Sequence, residues 1–246
     1  MYDVKQHRIY AEWKEAISLY EKLLKTMEPG ELRHQAIREL AQLYLNTGEH
    51  ARVQEIVQTL PDIYGCREFL KVNTTDGKAR AVAYGEALLK TVRACSELMV
   101  GSVIVRGESM SVADKVESLR GAIRIFYTVC TNGDCGCHHA YIARIDTLLS
   151  LYLWLDGKRD EAFEALDDAL RQFELLDAWR ERKNGCYTSP LVDLVEEKCC
   201  EREHAAASLA EDWPWWSVSE YARVKPEIEA DPRWAAWVAR TQKQSL

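Results

Sequence analysis

The chain lacks most of what would announce chemistry. It holds no Gly-rich phosphate loop, no His-Glu-x2-His and no Gly-x-Ser-x-Gly. These are the short patterns that build a phosphate cradle, a zinc ligand pair or a nucleophile elbow. No apolar run approaches the ~20 residues that a membrane-spanning helix needs. Met1-Tyr2-Asp3-Val4-Lys5 opens without the apolar core of a signal peptide. Basic residues are not in excess: the formal charge is −7, which argues against nucleic-acid contact by this segment alone. Gly and Pro are scarce, 12 and 6 in 246 residues, so long helices with few breaks are expected. The eight cysteines, with no export signal, read as reduced thiols rather than a disulfide framework. The expected location is therefore cytoplasmic.

What is present is an internal echo. Leu40-Ala41-Gln42-Leu43-Tyr44-Leu45-Asn46-Thr47-Gly48-Glu49 continues to Val53 and Val57, and Leu149-Ser150-Leu151-Tyr152-Leu153-Trp154-Leu155-Asp156-Gly157-Lys158 continues to Ala162 and Leu166. In both, an apolar helical stripe ends at Gly, a charged turn follows, and a small or branched apolar residue comes five positions after the Gly. A helix–turn–helix unit of this kind cannot bury its own apolar face and must stack on neighbours.

Helical spacing predicts helices near 8–26, 31–46, 50–59, 78–104, 112–130, 137–155 and 159–180. Ser111 is the expected N-cap of the fifth. Ser189-Pro190 is expected to open a helix running to about 204, with Pro in the first turn. Short helices near 217–223 and 231–242 follow the loop Trp213-Pro214-Trp215-Trp216. Cys66 to Leu70 reads as a helical turn or loop, and Asn73-Thr74-Thr75-Asp76-Gly77 as a turn cluster. No segment alternates strongly enough to be a strand. The expectation is an all-α chain of antiparallel helical hairpins, stacked as one domain over 1–246. The clear repeats lie near 31–60 and 137–180, with an aromatic cap near 209–246. Trp13, Ala16, Tyr20 and Leu23 look like the second helix of a unit, so the first helix is either a lone cap or the remainder of a longer protein.

The spacing Leu40-Ala41-x2-Tyr44-x3-Gly48-x4-Val53 resembles the tetratricopeptide repeat. Further blocks are Trp13-Lys14-Glu15-Ala16-Ile17, Arg33-His34-x3-Arg38-Glu39-Leu40-Ala41, Cys66-Arg67-Glu68-Phe69-Leu70, Tyr187-Thr188-Ser189-Pro190-Leu191 and Asp231-Pro232-Arg233-Trp234. Together they resemble the C-terminal regulatory regions of Xre-type helix-turn-helix transcriptional regulators of Gram-positive bacteria. The resemblance implies a right-handed superhelix that senses a ligand or dimerises, with DNA bound through a separate domain. This chain carries no counterpart of that domain.

Three groups of residues are candidate sites. Arg38, Gln42 and Asn46 lie four apart on one helix face, and Arg144, Leu151 and Trp154 occupy the matching face of the second repeat. If first helices line a concave surface, this face would hold a short amphipathic or acidic peptide, with Arg supplying bidentate bonds. The plain alternative is a solvated helix face. Trp213, Trp215 and Trp216, with Trp234 and Trp237, either cap the open end of the repeat stack or anchor an interface. Cys130, Cys135, Cys137 and His138 (or His139) carry ligand types that zinc favours, though Cys-x-Cys is tight for one ion. The alternative is a set of small residues at a helix junction. Asp167-Asp168 and Glu196-Glu197 are adjacent pairs, about 100° apart if helical, and read as solvated rather than catalytic. The expectation is a non-enzymatic protein- or peptide-binding module, without a cofactor or a membrane partner, that takes part in transcription regulation. The alternatives are a homodimerisation scaffold and a metal- or redox-responsive sensor.

Overall fold

Tertiary packing decides where these helical patterns end. The computed structural model describes residues 2–57, 72, 77–182, 185–197 and 206–244. The expected turns over 66–70 and 73–76 lie outside the described residues. Among the described residues the chain is all-α, with no strand and one isolated antiparallel bridge, Cys186 to Glu196. The chain folds as two compact units, Met1–Arg67 and Glu68–Leu246.

The first unit holds α1 (Tyr2–Leu24), α2 (Glu31–Asn46) and α3 (His50–Val57). Its core is small: Ile17, Leu40 and Tyr44 are buried, with Tyr20, Leu24, Leu43, Val53 and Ile56 around them. Polar contacts rim this core. Arg33 Nη1 donates to Met27 O at 2.9 Å and also to Leu24 O, which closes the turn before α2. Tyr44 Oη donates to Glu21 at 2.6 Å, and Arg52 bonds both groups.

The second unit begins with α4 (Gly77–Arg106) and α5 (Val112–Val129). It continues with a 3-10 turn at Gly136–His138, α6 (His139–Leu155) and α7 (Arg159–Arg180). It closes with α8 (Ala207–Glu211), α9 (Tyr221–Glu229) and α10 (Pro232–Gln244). Ser111 caps α5 as expected: its hydroxyl accepts from Asp114 N at 3.1 Å. Consecutive helices pack pairwise, α4 on α5, α5 on α6, and α6 most extensively on α7. α6 is apolar on nearly every face, and such a helix is stable only when surrounded. It is buried from Ile145 to Trp154, with α9 and α8 also packed against it. Its polar Ser150 is satisfied inside, donating to Thr147 O at 2.7 Å and accepting from Trp213 Nε1 at 2.9 Å.

The two Gly turns have the same geometry. Gly48 and Gly157 take φ +77° and +76°. Glu49 N donates to Tyr44 O at 2.8 Å, and Lys158 N to Leu153 O at 3.0 Å. These are the six-to-one bonds of a Schellman closure, which needs a left-handed residue just past the helix. The following helices start alike, with Val53 N bonded to Glu49 O and Ala162 N to Lys158 O.

The helix expected from Ser189 does not form over its described part. Residues 185–197 run instead as a strap folded back on itself. Glu197 N donates to Gly185 O at 3.1 Å, and two short turns bond Val192 to Ser189 and Val195 to Val192. The strap is claimed by its neighbours rather than by helix propensity. Thr188 N and Oγ1 both donate to Asp134 Oδ2, at 2.6 and 2.7 Å, and Ser189 donates to Asn132. Val195 also lies where a Cβ on Gly85 of α4 would stand, 2.6 Å away, so the strap approaches α4 only because residue 85 is Gly.

Candidate functional site

The loop between α5 and α6 carries Cys130, Asp134, Cys135, Cys137, His138 and His139, and the strap lies against it. Asp134 ties the two together. It is 8% exposed and accepts from Arg182 Nη1 at 2.6 Å as well as from Thr188. Burial raises its pKa, but these bonds outweigh burial, so its carboxyl sits below the usual range.

The four sequence candidates separate into two sets. Cys130 and Cys135 are fully buried and their thiols hydrogen-bond one another, which holds the proton on Cys135. They line the core and do not join the other two. Cys137 and His138 instead meet Glu197 of the strap: one donor atom from each lies within 4.8 Å of the others. Tyr187 Oη donates to Glu197 Oε2 and stands 3.8 Å from Cys137 Sγ. Burial pushes the Cys137 thiol up, and Glu197 adds to this. Burial also lowers His138 to about 4, with the Arg93 charge adding to the effect and Glu197 opposing it. Its imidazole is therefore neutral at neutral pH, and its solvent-shielded Nε2 has no hydrogen-bond partner. The ring packs 5.3 Å from Phe126.

His139 differs from its neighbour. Its Nε2 accepts from Cys135 N at 3.1 Å, so the proton is on Nδ1, which bonds Gln172 Oε1 at 2.6 Å. Both nitrogens are used, and His139 is a core residue. Sequence reasoning missed Glu197, read there as half of a solvated pair, and Tyr187. Both reach the loop through the strap, a tertiary feature with no periodic signal. Gly136 is the one local hint. It takes φ +56°, and a Cβ on it would stand 2.4 Å from the Tyr187 ring. Only Gly admits that ring.

The groove residues fall in both compact units. In the first, Gln42 and Asn46 are exposed and bond each other at 3.0 Å. The Arg38 side chain lies outside what is described. In the second, Leu151 and Trp154 are core residues, 0% and 5% exposed, so the expectation that they face a partner is corrected. α6 is enclosed by the helices packed against it. Trp154 Nε1 donates to Glu227 at 3.1 Å, with the Phe163 ring 6.2 Å away. Arg144 remains partly exposed, its guanidinium 4.1 Å from the Trp215 ring centre.

The C-terminal aromatics pack inward. Trp213 is 2% exposed and meets Trp234 edge-to-face at 5.3 Å, while Trp237 Nε1 donates to Leu166 O at 2.9 Å. Trp216 is half-buried, edge-on to Tyr141. Trp213 thus lies against α6, through its bond to Ser150, and Trp237 against α7.

No protein-family model matches the chain, and no curated protein or solved structure matches it either.

Proposed function

We propose that the chain is a non-enzymatic helical-repeat module, of tetratricopeptide-like superhelical arrangement, that senses a peptide or protein in a bacterial transcriptional regulator. DNA contact is supplied by a separate domain. The observation that carries this reading is the pair of Gly-turn hairpins closed by the same six-to-one bond. Helical hairpins of one geometry are the unit from which peptide-binding repeats are built. In the first unit, the exposed Gln42 and Asn46 face offers amide groups to a peptide backbone. The test is transcript profiling of a strain deleted for this chain, beside mobility shift of duplex DNA by the purified chain. Changed transcripts with no shift by the chain alone are expected. An unchanged transcriptome sinks the regulatory role, and a shift by the chain alone sinks the division of labour.

One observation favours self-association as a second role. Tyr84, Leu98 and Val105 are exposed on α4 by 53, 74 and 86%, at multiples of seven residues, and so share one face. Leu98→Glu is expected to convert a dimer to a monomer in sedimentation. A wild type that is monomeric at all concentrations removes this role.

A further inference from the structure

We propose that Cys137, His138 and Glu197 form a binding site for a divalent transition-metal ion of the zinc class, with Tyr187 orienting the carboxylate. The inference is independent of the regulatory reading. The donor set selects the ion. One thiolate, one imidazole and one carboxylate is a mixed sulfur, nitrogen and oxygen set, which suits zinc or cobalt and disfavours magnesium and calcium, whose ligands are oxygens. Three protein ligands leave one tetrahedral position for water or a ligand group.

The geometry is close to closed. Tetrahedral zinc with bonds of about 2.0–2.3 Å sets its donors about 3–4 Å apart. The three donors here lie within 4.8 Å, so a contraction of at most about 1.5 Å completes the site. The ligands ride on supported elements. Cys137 and His138 sit in the Gly136–His138 turn that opens α6, and Glu197 is pinned by its backbone bond to Gly185 and by Tyr187. The shielded Nε2 of His138 has no hydrogen-bond partner and so has spare ligand capacity, whereas both nitrogens of His139 are used. On binding, the Cys137 S–H bond breaks, its proton passes to solvent, and the sulfur lone pair forms the metal–sulfur bond. Arg93 is the opposing charge nearby, and it is engaged with Glu97 at 2.5 Å and with the Tyr141 ring. Tyr187 holds Glu197 by a hydrogen bond, the kind of outer contact that fixes a ligating carboxylate. Because the ligands come from two segments joined only through the fold, the ion clasps strap to loop, and its binding adds to stability.

The experiment is titration of the full chain, purified with chelator and reductant and then dialysed, with Co2+ followed by Zn2+. Expected are one equivalent of tetrahedral Co2+ with a thiolate charge-transfer band, its displacement by Zn2+, and a rise in melting temperature with either ion. Cys137→Ser is expected to lose the charge-transfer band, while Cys135→Ser keeps it. Tyr187→Phe, which leaves all three ligands in place, is expected to weaken Co2+ binding ~10–100-fold. Circular dichroism checks that each variant is folded. If Cys137→Ser fails to fold, Glu197→Gln decides, and unchanged Co2+ affinity in it overturns the site. Absence of a stoichiometric Co2+ spectrum in the wild type, or the same spectrum in folded Cys137→Ser, overturns it equally.

Discussion

Gly136 is the residue with most resting on it. Its φ of +56° is costly for any L side chain, and the Tyr187 ring fills the place of a Cβ. Gly136→Ala therefore combines left-handed strain with a clash against an aromatic ring, about 2–4 kcal/mol in total. Urea denaturation is the check; a loss under about 1 kcal/mol would mean that Tyr187 does not pack there. Asp146 gives a pH prediction. It is 5% exposed, its Oδ2 has no hydrogen-bond partner, and burial, then the Asp168 charge, hold its carboxyl well above the usual range. The folded state thus binds this proton more tightly than the unfolded chain does. The contribution is favourable below about pH 4, and it is lost as pH rises toward the raised folded value, by about 1.4 kcal/mol per unit. Asp146→Asn removes the titration while keeping the shape. Its melting temperature is expected to fall less than that of the wild type between about pH 5 and about pH 8. Parallel curves in calorimetry would refute this.

At the scale of elements, the Gly turns close α2 and α6 and start the helices that follow. Nothing lies within 4 Å of a Cβ built at Gly157, so substitution there meets strain without a clash. Gly157→Ala is expected to cost about 1–2 kcal/mol and Gly157→Asn less, since Asn tolerates the left-handed region. Equal losses, read by thermal unfolding, would contradict the Schellman assignment. The same turn was legible in sequence because its signal is local: an apolar stripe, a Gly and a charged turn. α5 and its Ser111 cap were legible for the same reason. The strap was not. Ser189-Pro190 is a sound helix start in isolation, yet Asn132 accepts from Ser189, Asp134 holds Thr188 just before it, and Gly85 admits Val195. A helix over 189–197 would forfeit those contacts.

Across the molecule, the two compact units differ in how much they bury. The first rests on a small cluster around Ile17, Leu40 and Tyr44 with a polar rim, whereas α6 alone is buried along most of its length. Local opening free energy follows buried contact. Hydrogen exchange is therefore expected to be faster in α2 than in α6; equal protection would mean that the units unfold as one. The sequence by itself determined the all-α class, most helix spans and the two Gly turns, because 3.6-residue periodicity, caps and left-handed Gly turns act over a few residues. Only the tertiary structure decided which candidates meet. It buried Leu151 and Trp154, because α6 is enclosed by its neighbours. It assigned Cys130 and Cys135 to the core, and it gave Cys137 and His138 a partner in Glu197, far along the chain. Those outcomes depend on how segments distant in sequence share space, and local patterning does not encode that.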